Sequence, residues 1–145
     1  MKISTKGRYA LRMLVDLAEY REEGYIALKD IAERQNISKK YLEQIVLLFT
    51  KTDVLKTSRG YQGGYMLAKL PRECTVGEIL RITEGSLAVV PCVEQDPIEC
   101  RRSADCPVLP VWRGLYKAIN EYLDSITLQD ILDQERERAV SDYVI

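Results

Sequence analysis

Between Leu28 and Tyr65 the chain reads LKDIAERQNISKKYLEQIVLLFTKTDVLKTSRGYQGGY, and no other stretch limits its folding options as much. Leu28, Ile31 and Ala32 fall on one face of a short helix. Gln35-Asn36-Ile37-Ser38 is a polar turn pinned by a single apolar residue, and Ser38 is a good N-cap. A second helix follows, with Leu42, Ile45, Val46 and Phe49 at the spacing of a buried stripe and Lys39, Lys40, Glu43 and Gln44 left exposed. Two short helices joined by a tight turn, with polar residues early in the second, describe a helix-turn-helix. The strand-like runs Val54–Thr57 and Tyr65–Leu67 flank the tip Ser58–Gly64 and predict a β-hairpin wing. The expected fold is mainly α with one small hairpin: a winged helix-turn-helix that binds DNA, followed by a long helix.

Around this centre, Ser4 or Thr5 can cap a first helix over about Lys6–Glu22, with Gly24 closing it. Tyr9, Leu11, Met13, Leu14, Leu17 and Ala18 form its apolar face. Pro71 stops the second wing strand. Thr75 and Glu78 have capping-box spacing, which predicts a helix to about Thr83 that buries Ile79, Leu80 and Ile82. A long helix from Val111 to Leu123 carries more apolar surface than the small domain can cover, which makes a partner chain its simplest cover. Thr127 caps a short last helix. The reading divides into residues 1–85 as the DNA-binding domain, 86–108 as a cysteine-bearing loop, 109–134 as the dimerisation helix with the short last helix, and 135–145 as a charged, flexible tail.

The net charge of −1 on 145 residues argues at first against a nucleic-acid partner. Residues 1–69, however, hold 13 Lys and Arg against 8 Asp and Glu, so the basic surplus travels with the helix-turn-helix. No apolar run approaches a membrane span and no signal peptide is visible, which predicts a cytoplasmic protein with reduced cysteines. Histidine is absent. With no C-x-x-C pair and no phosphate loop either, a thiol enzyme or an iron–sulfur carrier is disfavoured.

Lys39 and Lys40 can neutralise phosphates, while Glu43 can accept from cytosine N4 and Gln44 can pair with adenine. Arg59, beside the glycine-rich tip, suits a narrow minor groove. The full candidate set for DNA contact is Ser38, Lys39, Lys40, Tyr41, Glu43, Gln44, Arg59 and Gln62. Cys92, Cys100 and Cys106 lie as C-x7-C-x5-C in a proline-rich, irregular stretch, where thiolates can converge on a soft metal centre. The spacing lacks the knuckles of a zinc ribbon, so an iron–sulfur cluster is the more natural tenant; three unrelated thiols is the plain alternative. Cys74 stands apart as a packed small residue.

The segments MKISTKGRYALRMLVDLA, DIAERQNISKKYLEQI, SRGYQGGYMLA and TVGEILRITEG, followed by the cysteine triplet and a helix with Trp112, together resemble the IscR-type family of winged-helix repressors. The resemblance implies a homodimeric transcriptional regulator, of iron–sulfur cluster biogenesis or related genes, that binds double-stranded operator DNA. It also implies one [2Fe–2S] cluster per subunit and exchange with cluster assembly or carrier proteins. Glu43 matches the family's base-discriminating glutamate, Arg59 its wing arginine, and Cys92, Cys100 and Cys106 its cluster cysteines, the first spacing being two residues longer. The departure is the fourth ligand. Leu109 stands where the family has histidine, and Arg8 stands where nitrosative-stress sensors of this family take a carboxylate from the opposite subunit. Glu94, Asp96, Glu99 and Asp105 are the loop candidates, with Asp16 and Glu19 of a second subunit. A cluster-free regulator responding to thiols or a metabolite, with the cysteines as redox switches, is the alternative.

Overall fold

The computed structural model describes residues 2–143, which form six α-helices and one antiparallel hairpin. α1 (Thr5–Glu19) starts at Ser4, whose hydroxyl oxygen accepts the Gly7 amide. It ends earlier than the expected Glu22. Tyr20 caps it, and Gly24, at φ 78°, instead terminates a separate 3₁₀ turn over Arg21–Glu23. α2 (Leu28–Gln35) stops at Asn36, which takes the left-handed conformation at φ 52° and so allows the tight turn into α3. α3 (Lys39–Phe49) is capped by Ser38, whose Oγ accepts the Tyr41 amide at 3.1 Å.

The wing is β1 (Leu55–Ser58) paired with β2 (Gly64–Leu67) in the register Leu55 to Leu67 and Ser58 to Gly64. One further residue joins it: Ile26 and Tyr65 exchange both backbone hydrogen bonds at 2.9 Å. This contact explains Gly64, and the hairpin's own turn explains Gly63. Only Gly60 of the wing has a positive φ, 106°. A Cβ on Gly64 would collide with the Ile26 carbonyl, and one on Gly63 with the Ser58 carbonyl. Gly63 and Gly64 therefore serve close backbone approach rather than a positive φ.

α4 (Val76–Glu84) begins at Thr75, whose Oγ1 accepts the Glu78 amide at 3.1 Å. The other half of the expected capping box is replaced, because the Glu78 carboxylate turns to Lys69 Nζ at 2.7 Å. A reciprocal box forms instead at Thr127, which exchanges hydrogen bonds with Asp130 at 2.9 and 3.1 Å. α5 (Leu109–Asp124) follows the loop, and α6 (Leu128–Tyr143) closes the chain.

α6 corrects the expectation of a short last helix and a flexible tail from residue 135. The helix continues to Tyr143, helped by ion pairs one turn apart from Arg136 to Asp133 and from Arg138 to Glu135. Val144 and Ile145, the end of the expected tail, lie outside the described residues. α6 also packs with the DNA-binding domain. Leu128 and Leu132 share one core with Met13, Leu14, Ile31, Leu42, Phe49 and Ile79. Each such side chain contributes roughly 1.5–3 kcal/mol by burial. A smaller core of Val76, Leu80 and Leu87 receives Tyr116, Ile119 and Leu123 from α5.

Candidate nucleic-acid interface and cysteine loop

The helix-turn-helix is set on α1 by a buried ion pair. Asp16 is 1% exposed, in the middle of an otherwise apolar helix face. Arg34 donates to both of its oxygens, at 2.6 and 3.0 Å, and the Gln35 side-chain amide adds a third bond at 3.0 Å. The Arg34 guanidinium also lies 4.0 Å from the centre of the Tyr20 ring. Its hydrogen bonds to Asp16 raise its pKa above an already high value, so the guanidinium keeps its charge. From the same helix, Arg12 donates to the Gln35 carbonyl. The last residues of α2, and with them the turn into α3, are thereby tied to α1.

On that mount α3 buries Leu42, Ile45, Val46 and Phe49 and turns Lys39, Lys40, Glu43 and Gln44 to solvent. A cleft of about 650 Å³ separates α3 from the wing, and Lys39, Glu43, Ser58 and Arg59 line it from its two sides. Lys39 Nζ stands 4.0 Å from Glu43 Oε1, too far for a hydrogen bond, with both groups exposed. The lysine offsets the glutamate's charge without holding it. Tyr41 is half-buried and meets Tyr9 edge-on at 5.6 Å, so its position is fixed by α1. Arg59 and Gln62 are exposed at the wing tip. The cleft therefore unites part of the set read from the sequence, and it adds Lys29 and Thr57. Lys29 carried a signal, a lysine in the first turn of α2; Thr57 carried none without the hairpin register.

Cys92 and Cys100 are exposed, Cys106 is half-exposed, and all three are free thiols. As a donor set they fit a soft metal centre. Their arrangement does not gather them: among the described residues no three Cys, Asp or Glu side chains are placed to hold a metal ion. Two positions that bear on the fourth ligand can be judged directly. Leu109, at the position where histidine was sought, is 3% exposed and part of the apolar interior. Asp16 is committed to Arg34 and Gln35, which removes it as a ligand for another subunit's cluster. Glu19, Glu94, Asp96, Glu99 and Asp105 are exposed. Cys74 is fully buried as expected, and burial pushes its thiol up to about 11.

A recognition helix and a glycine-tipped wing around one polar cleft define a winged-helix DNA-binding protein. Residues 3–134 match the Rrf2 family model, described as an iron-dependent transcriptional regulator, and the chain belongs to that family. It is 39% identical over 131 residues to the HTH-type transcriptional regulator CymR of Bacillus subtilis, covering 90% of this chain and 89% of that one. It is 34% identical over 142 residues to the HTH-type transcriptional regulator IscR of Aliivibrio salmonicida, covering 98% and 83%. Among solved structures it resembles T. potens IscR, with a TM-score of 0.76 and 41% identity over 95% of this chain and 90% of that one. The structure of CymR, the global cysteine regulator of B. subtilis, is similar at a TM-score of 0.76 and 36% identity, covering 92% and 98%. The chain is thus a transcriptional regulator rather than an enzyme. Among the described residues no helix is long and apolar enough to cross a membrane.

Proposed function

We propose that this regulator works in the cytoplasm as a homodimer that places α3 of each subunit in the major groove of an operator and Arg59 in the adjacent minor groove. The observation that carries this reading is the common cleft, which faces Lys39 and Glu43 of α3 toward Arg59 of the wing. Lys39 and Lys40 neutralise phosphates, and Glu43 and Gln44 address base edges. The remaining residues read from the sequence, Ser38, Tyr41 and Gln62, are assigned to the same DNA surface, although none of them lines the cleft.

The proposed signal is a [2Fe–2S] cluster, one per subunit, held by Cys92, Cys100 and Cys106 and exchanged with cluster assembly or carrier proteins, with genes of cluster biogenesis among the targets. When bound, such a cluster supplies an iron- and redox-sensitive centre. The chain's own part is mechanical. Arg81 on α4 grips Asp124 at 2.8 Å through two bonds and Asn120 at 2.6 Å on α5. One turn further along α4, Glu84 accepts both the amide and the hydroxyl of Ser4. A change in how the loop seats α5 is thereby passed to the start of α1, and from Asp16 to the helix-turn-helix.

A second reading keeps the winged helix and makes the cysteines redox-responsive thiols without a cluster. It is favoured by their exposure and by the equally close likeness to CymR. Both readings share the DNA surface, which one experiment tests. A duplex enriched from a random pool by the full-length protein should bind Arg59→Ala about tenfold more weakly, the scale of ~1–3 kcal/mol for a lost groove contact. Equal affinity of the variant would overturn the placement of the wing.

A further inference from the structure

Leu47 is out of place for a residue that only builds a helix. It is 68% exposed, while Leu42, Ile45, Val46 and Phe49 of the same helix are between 0% and 3% exposed. A helix advances about 100° per residue. Lys40, Glu43, Gln44 and Leu47 therefore share one face, with Leu47 projecting between Lys40 and Glu43 in end-on view. A shallow cleft of about 430 Å³ runs along this face and includes Tyr65 of the wing at its side. Leu47 is thus continuous with the polar surface assigned to DNA. It is on a different helix from the exposed apolar stripe of Val111, Leu115 and Tyr122 on α5.

In the major groove three of the four bases present only hydrogen-bonding edges to a side chain, and thymine alone adds an apolar group, its C5 methyl. We infer that Leu47 is a specificity-determining residue that packs on a thymine methyl, one helical turn beyond the bases addressed by Glu43 and Gln44. The inference rests on the DNA-binding reading above and adds a base to it. Leucine has no donor or acceptor, so it contributes only where it meets that methyl. Elsewhere on the duplex it faces polar edges and gains nothing.

The test starts from a duplex enriched out of a random pool by the full-length protein. Each thymine is replaced singly by deoxyuridine, which deletes the methyl and keeps the pairing. Affinities of wild-type protein and Leu47→Ala are then read by fluorescence anisotropy. At one thymine of a half-site the wild type should lose roughly fourfold, the effect of one buried methyl group. Leu47→Ala should bind the thymine duplex with a similar loss and be indifferent to uridine at that position. Two results would overturn the inference: wild-type affinity insensitive to every uridine, or Leu47→Ala as sensitive as the wild type. A change in sedimentation of Leu47→Ala in the absence of DNA would also overturn it, by assigning Leu47 to a contact between copies. Failure to enrich any sequence would remove the DNA-binding reading as well, whereas Arg59-dependent binding without uridine sensitivity removes Leu47 alone.

Discussion

Asp16 shows how one polar residue can matter more than the apolar ones around it. Carboxylates are rarely buried without a partner, because desolvation disfavours the charge. Here three donors meet it, and all come from the end of α2. Asp16→Ala should lower the free energy of unfolding by about 2 kcal/mol, moderated because Arg34 can recover water once released. Urea unfolding measures this, and an unchanged midpoint would make the pair ornamental. The sequence announced the helix-turn-helix but not its mount, since Asp16 and Arg34 are joined only by tertiary packing. Cys74 offers a second check at this scale. With its thiol pushed up to about 11, the reactive thiolate is scarce at neutral pH, and burial bars access as well. Alkylation of the native, metal-free protein at pH 7.5 should label Cys92, Cys100 and Cys106 while Cys74 reacts only after denaturation. Native labelling of Cys74 would show that its core opens.

Helix α5 carries two apolar stripes with different fates. Tyr116, Ile119 and Leu123 pack on α4, whereas Val111, Leu115 and Tyr122 remain exposed. The amphipathic pattern revealed an excess of apolar surface but could not divide it, because the division depends on where α4 lies. If the outer stripe is the dimer contact, Leu115→Glu should yield a monomer with unchanged helical content, read by sedimentation and circular dichroism. A variant that stays dimeric would move the interface elsewhere. Local chemistry foretold the caps at Ser4, Ser38, Thr75 and Thr127, since a cap needs only residues within one turn. It failed where a distant residue intervened. Lys69 drew Glu78 out of its capping box, and Ile26 imposed the close approach that Gly64 accommodates. α6 was missed past residue 135 for another reason: its outer turns bury nothing, and ion pairs one turn apart leave no apolar stripe to read.

At the scale of the whole molecule, charge and chemistry are separated along the chain. The basic surplus lies with α3 and the wing, and the three loop thiols lie in the acidic half. α4 is joined to α5 through Arg81 and to α1 through Glu84, and these contacts are the proposed route from the loop to the DNA surface. The winged domain was legible because its pattern is local and repeats known turn chemistry. The role of the loop cysteines was not, because spacing on an irregular loop does not encode the tertiary arrangement that would gather them, and among the described residues they are not gathered. The most direct measurement is therefore on the loop: iron and acid-labile sulfide counted per chain after anaerobic purification and reconstitution, with Cys92→Ala alongside. The account predicts about two irons and two sulfides per chain for a [2Fe–2S] centre. Cys92→Ala should lose them while still folding and binding the enriched duplex, now indifferent to iron. An iron-free protein, or a Cys92→Ala variant with the same iron and sulfide, would contradict the cluster and leave a thiol-responsive regulator in its place.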